Sequence, residues 1–150
     1  IYSLNVRFAG DIHFSKKVEC DVENVRVPSM ILQPVVENAV NHGIRNIDWE
    51  GHIDLSVERW NDHIEISVRD NGLGMTGEQI QRVLSKKVHS SSGEGDSTGI
   101  GMNNVISRLE LYYERDGLME IYSEGEGMGT EVVINIPLER SEKNVQNPAC

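Results

Sequence analysis

The sequence predicts a two-layer α+β domain, a mixed and mostly antiparallel sheet covered by helices on one face. Three observations predict it. Five short segments alternate apolar and polar residues, the pattern of strands with a single buried face. Two longer segments, 30–43 and 99–114, place their apolar residues at helical spacing on one stripe each. A chain of 150 residues that is 38% hydrophobic and 25% charged can bury one sizeable core and needs no second domain.

The first alternating segment, 11–18, carries Ile12, Phe14 and Val18 and reads as a strand, followed by a connection to Pro28 and Ser29. From Met30 the positions Ile31, Leu32, Val35, Val36, Ala39 and Val40 mark an amphipathic helix, with Ser29 as its expected N-cap and Gly43 as its stop. Segments 52–59 and 63–69 alternate around Trp60, Asn61 and Asp62 and form an antiparallel hairpin. Residues 76–84 suit a short helix, and 85–98, rich in Ser, Thr and Gly, suit a loop. The second long helix, 99–114, aligns Met102, Val105, Ile106, Leu109 and Tyr113 and is expected to end before Gly117. Strands at 118–123 and 130–136 complete the sheet, with Pro137 closing the last. The domain is placed at 1–138, leaving 139–150 as a polar tail.

Charge and cysteine content narrow the function. A formal net charge of −10 repels nucleic-acid phosphates and anionic lipid, so neither nucleic acid nor direct membrane contact is expected of this segment. Cys20 and Cys150 are far apart in sequence, which implies a reducing compartment and no disulfide framework. His13, His42, His52, His63 and His89 lack metal-ligand spacing. No apolar run reaches the roughly 18 residues of a membrane span. The first residue is Ile1 rather than Met, so the chain reads as a piece of something longer, with an upstream membrane anchor still possible.

Four polar features fall where the core pattern does not ask for them. Asp70 ends the alternating segment on the same parity as Ile64, Ile66 and Val68, so a carboxylate is aimed at the core and needs a donor. The turn Asn71-Gly72-Leu73-Gly74 follows directly and opens a pocket mouth there. On the first helix Pro34, Asn38, Asn41 and His42 form a polar, mostly uncharged stripe beside Glu37, and the Asn38 carbonyl oxygen suits Mg²⁺. Gly99-Ile100-Gly101-Met102-Asn103-Asn104 reads as a glycine-bearing turn opening a helix, able to hold phosphate on free N–H groups. Thr130, after Gly127-Met128-Gly129, shares the apolar parity of its strand as Asp70 does. Taken singly, each also fits a structural reading: a surface turn, a solvated helix face, helix punctuation.

Together these features resemble the ATP-binding catalytic domain of the GHKL superfamily (gyrase, heat-shock chaperone, histidine kinase, MutL), and within it sensor histidine kinases of the YesM and LytS type. Residues 32–43 (LQPVVENAVNHG) are similar to that group's N box. Residues 70–75 (DNGLGM) resemble its first glycine box, 99–105 (GIGMNNV) with Arg108-Leu109 the second, and Gly129-Thr130 the last. The resemblance implies a Bergerat-type ATP-binding fold and Mg-ATP as ligand. Asn38 would ligate Mg²⁺, with His42 and Asn41 beside the phosphates. Asp70 would accept a hydrogen bond from the adenine amino group, helped by Thr130. Gly72 and Gly74 would leave room for the base next to Met75. Gly99 and Gly101 would hinge a lid formed by 85–98 and present amides to the phosphates, with Ile100 and Met102 among the nucleotide-binding residues.

It further implies transfer of the γ-phosphoryl to a histidine on a dimerisation domain upstream, and thence to a response regulator. The parent protein would be a membrane sensor whose catalytic part is cytoplasmic. Asn41 stands where many histidine kinases carry a basic residue, and 85–98 hold no Phe for an F box. An anti-sigma-factor-like serine kinase and a non-catalytic nucleotide-gated interaction module are the alternatives that share these motifs.

Overall fold

The computed structural model describes residues 12–18, 31–45, 47–85 and 97–138. A five-stranded sheet runs in the order β1-β2-β3-β5-β4, with β1 Ile12–Val18, β2 Gly51–Arg59, β3 His63–Asp70, β4 Met119–Tyr122 and β5 Thr130–Pro137. Only the β1–β2 pair is parallel; β2–β3, β3–β5 and β4–β5 are antiparallel. The mixed, mostly antiparallel sheet expected from the alternation is therefore the one observed. Three helical segments cover one face: α1 Leu32–Asn38, α2 Gly77–Leu84 and α3 Ser97–Tyr113.

The core lies between the layers. Val35 and Val36 of α1 and Met102, Val105, Ile106 and Leu109 of α3 pack with Ile53, Leu55, Ile64, Ile66, Val68, Ile134 and Ile136 of the sheet. Burying each such side chain contributes roughly 1.5–3 kcal/mol, and period two assigns all the sheet members to one face. The opposite face carries Asp54, Glu58, Glu65, Arg69 and Glu131 by the same register. The helix α2 starts where its sequence says it should. Thr76 Oγ1 accepts from the Gln79 N–H at 3.2 Å while Gln79 Oε1 accepts from the Thr76 N–H at 2.9 Å, a reciprocal capping box.

Four sequence expectations are corrected. Gly43 does not stop the first helix: after Asn38 the chain widens into π winding over Ala39–Ile44, closed by Arg45 N–H to Val40 O at 2.9 Å. The N-cap position is Ile31, without a side-chain cap, and Ser29 lies outside the described residues. In β1, Phe14 and Val18 share the helix-side parity yet remain exposed, because β1 is an edge strand and no described helix reaches over it. The glycines at 99 and 101 sit inside the first turns of α3, not in a turn before it. That helix ends at Tyr113 with Glu114 in the left-handed region, φ 54°, and Gly117 follows only three residues later. Among the described residues no helix is long and apolar enough to cross a membrane.

Candidate functional site: the Asp70 pocket

Register brings the two parity outliers together. Asp70 pairs with Thr130 across β3 and β5, and both are 7% exposed, so two polar residues meet at one end of an apolar face. Burial pushes the Asp70 carboxyl up to about 6, while hydrogen bonds from the Gly72 and Thr130 N–H groups pull it partly back. The Gly72 N–H donates to Asp70 Oδ1 at 2.9 Å. A carboxylate bound this way keeps acceptor capacity for a further N–H donor, since each oxygen takes two.

Gly43 is the neighbour that sequence reasoning missed in this role. A Cβ on Gly43 would sit 2.7 Å from both Cγ and Oδ1 of Asp70, so the end of the Asn38-bearing helix lies directly on the carboxylate. The Gly43 carbonyl accepts the Leu73 N–H at 2.9 Å. A Cβ on Gly72 would fall 1.9 Å from that same oxygen. Gly72 therefore admits a backbone, not a base, as its close neighbour. Gly74, at φ 75°, likewise faces the Gly125 carbonyl, 2.1 Å from where its Cβ would be. The expectation that these glycines clear space for a base is replaced by backbone-to-backbone packing, which only residues without Cβ permit.

Two further residues hold the rim. Ser123 Oγ accepts the Met75 N–H at 2.9 Å and donates to the Gly129 carbonyl at 2.7 Å. With Gly127 N–H to Leu73 O at 2.7 Å and Gly129 N–H to Gly72 O at 3.1 Å, it ties the β4–β5 loop to the turn after β3. Asn71 anchors that turn on its other side. A small polar residue at a strand end gives no sequence signal of such a role.

Asn38 occupies the last position of α1, half-buried, and its Oδ1 is enclosed without a hydrogen-bond partner among the described residues. An enclosed carbonyl oxygen without a donor is costly in a folded protein. A hard cation that takes neutral oxygens fits it. His42 is half-buried on the π-wound turn and Asn41 is exposed. Met75 is half-buried beside the pocket turn. Met102 is 1% exposed in the core, so its side chain is withdrawn from the site, and its N–H lies past the free first turn of α3. A Cβ on Gly101 would meet nothing within 4 Å. The side chain of Ile100, and residues 86–96 of the expected lid, lie outside the described residues. Among the described residues no group of three His, Cys, Asp or Glu side chains could hold a metal.

The family model described as histidine kinase-, DNA gyrase B- and HSP90-like ATPase matches residues 27–140. The chain is 33% identical over 125 residues to the sensor histidine kinase YpdA of Escherichia coli K12, covering 79% of this chain and 19% of that one. It is 30% identical over 138 residues to the sensor histidine kinase/phosphatase LytS of Staphylococcus aureus, covering 91% and 23%. The chain thus spans about a fifth of the length of these relatives. Among solved structures, the nucleotide-free catalytic domain of the histidine kinase ThkA superposes with a TM-score of 0.62 at 20% identity, over 85% of this chain and 80% of that one. The mycobacterial sensor histidine kinase MprB does so at 0.57 and 19% identity, over 85% and 82%. The fold is that of histidine kinase catalytic domains.

Proposed function

The chain belongs to the histidine kinase-, DNA gyrase B- and HSP90-like ATPase family, and from that premise we propose that it binds Mg-ATP and delivers the γ-phosphoryl to a histidine on a dimerisation domain of the same protein. The observation that carries the proposal is Asp70: a buried carboxylate, raised to about 6, held by two backbone N–H groups and still able to accept one more. Adenine offers an amino N–H at its edge; guanine offers a carbonyl there, which a carboxylate repels. Asp70 with Thr130 therefore reads the base, and Met75 lines the turn beside it.

Asn38 Oδ1 would hold Mg²⁺, which neutralises phosphate charge when bound. His42 and Asn41, on the turn that follows Asn38, would meet the phosphates. The first turn of α3, with Gly99 and Ile100, would offer its free N–H groups to phosphate at a positive helix end, whereas Gly101 and Met102 lie past that turn and their N–H groups are taken up within the helix. Transfer asks these groups to position and stabilise charge rather than to form bonds to the protein. The parent protein would act in two-component signalling, as a membrane sensor with this domain in the cytoplasm and a response regulator receiving the phosphoryl group next.

Mixing the chain with a histidine-bearing acceptor domain and labelled ATP tests the proposal. Label should reach the acceptor and be lost in acid, because phosphohistidine is acid-labile. Acid-stable label on serine would favour the serine-kinase alternative, and binding with no transfer would favour the interaction module.

A further inference from the structure

The β2–β3 ladder ends at the pair Ile53 and Asp70, yet the residue that follows β3 spends all its polar groups on segment 49–52, at the start of the neighbouring strand. The Asn71 N–H donates to the His52 carbonyl at 3.2 Å. Its Oδ1 accepts the His52 N–H at 2.7 Å, and its Nδ2 donates to the Glu50 carbonyl at 2.9 Å. Its own carbonyl accepts the Trp49 indole N–H at 2.8 Å. The side-chain oxygen thus takes the place in the ladder that the Asn71 carbonyl has left for Trp49. One amide oxygen facing an N–H and one amide nitrogen facing a carbonyl leave no ambiguity in its orientation, and no carboxylate could do both.

What this anchor controls is the next peptide. The Gly72 N–H is the donor to Asp70 Oδ1, an i→i+2 closure whose geometry depends on where residue 71 is held. The anchor residue points to segment 49–52 with every polar group, so it can act on a ligand only through its neighbours. We infer that Asn71 is the positioning residue of the pocket, fixing Asp70 and Gly72 against segment 49–52 and thereby setting the preference for adenine. The inference rests on the proposed reading of Asp70 as the base-recognising group.

Titrating this chain calorimetrically with MgATP and with MgGTP gives the ratio of the two affinities. In Asn71→Ala the ratio should fall about tenfold or more, the loss expected when a hydrogen bond to a charged group is misaligned; GTP, which makes no such bond, should bind as before. Ile64→Val, a core truncation at the far end of β3, should lower the melting temperature and leave the ratio unchanged. Should Asn71→Ala fail to fold, Trp49→Phe removes only the indole bond to the Asn71 carbonyl and should lower the ratio about threefold. A ratio within twofold of wild type in a folded Asn71→Ala, or an unchanged one in Trp49→Phe if that variant is the one measured, overturns the inference and leaves the proposed function standing. Equal binding of both nucleotides by the wild-type chain overturns both.

Discussion

Asp70→Asn should stabilise the nucleotide-free chain at neutral pH while damaging its recognition of ATP. The folded carboxyl releases its proton at about 6 instead of 3.8, chiefly because burial disfavours the charge. Between those values the folded state holds more protons than the unfolded one, so stability falls as pH rises through the window and levels off above about 7. At about 1.36 kcal/mol per pH unit, the rise from 3.8 to about 6 corresponds to ~3 kcal/mol of stability surrendered at pH 7. An asparagine carries no charge to desolvate and keeps one acceptor for the Gly72 N–H. Its amide nitrogen can oppose the Thr130 N–H, which returns about 1 kcal/mol of the gain. The net stabilisation should be roughly 2 kcal/mol at pH 7 and vanish or reverse near pH 4. Urea unfolding of both variants between pH 4 and 8 measures it, and taking the difference cancels other titrating groups. A difference that stays constant across that range, or a mutant less stable at pH 7 than at pH 4 relative to wild type, would refute the reasoning. The functional half runs the other way: loss of a charge-assisted bond costs about 1.5–3 kcal/mol in ATP affinity, and wild-type affinity should itself decline below about pH 6 as Asp70 protonates.

Asn38→Ala removes the enclosed, unpartnered oxygen; it should leave the fold intact and abolish the difference in ATP affinity between Mg²⁺ and chelator, read by calorimetry. Gly101→Ala should raise stability by about 1 kcal/mol, since the residue is helical with open space at its Cβ, yet weaken ATP binding by crowding the phosphates; tighter or unchanged binding would remove this turn from the site. Gly72→Ala should cost 3 kcal/mol or more, on the order of a large core disruption, because its Cβ meets the Gly43 carbonyl and neither backbone can retreat. The chain alone should release phosphate slowly from ATP. Pro34, one turn before Asn38, cannot act as a base, and Glu37 is exposed and bound by Gln33 Nε2 at 3.0 Å. Glu37→Gln should therefore leave phosphate release unchanged, and its abolition by that change would mark an ATPase.

Local pattern by itself determined which residues face the core. Period two put Asp70 and Thr130 on the apolar parity of their strands, and helical spacing separated the Asn38 stripe from Val35 and Val36; both arrangements are found in the structure. These readings succeed because side-chain direction follows from backbone repeat, which a few consecutive residues specify. The motifs carried the family as well. Tertiary structure alone decided who meets whom. Gly43 looks like a helix stop until Asp70, distant in sequence, is seen lying on its Cα hydrogen. Gly72 and Gly74 look like space for a ligand until carbonyls of Gly43 and Gly125 fill it. Met102 satisfies both a glycine motif and an apolar stripe, and only packing resolves that it is core. Asn71 and Ser123 act through hydrogen bonds that span loops. Contacts of that kind depend on how separate elements dock, so no periodicity within either segment can encode them.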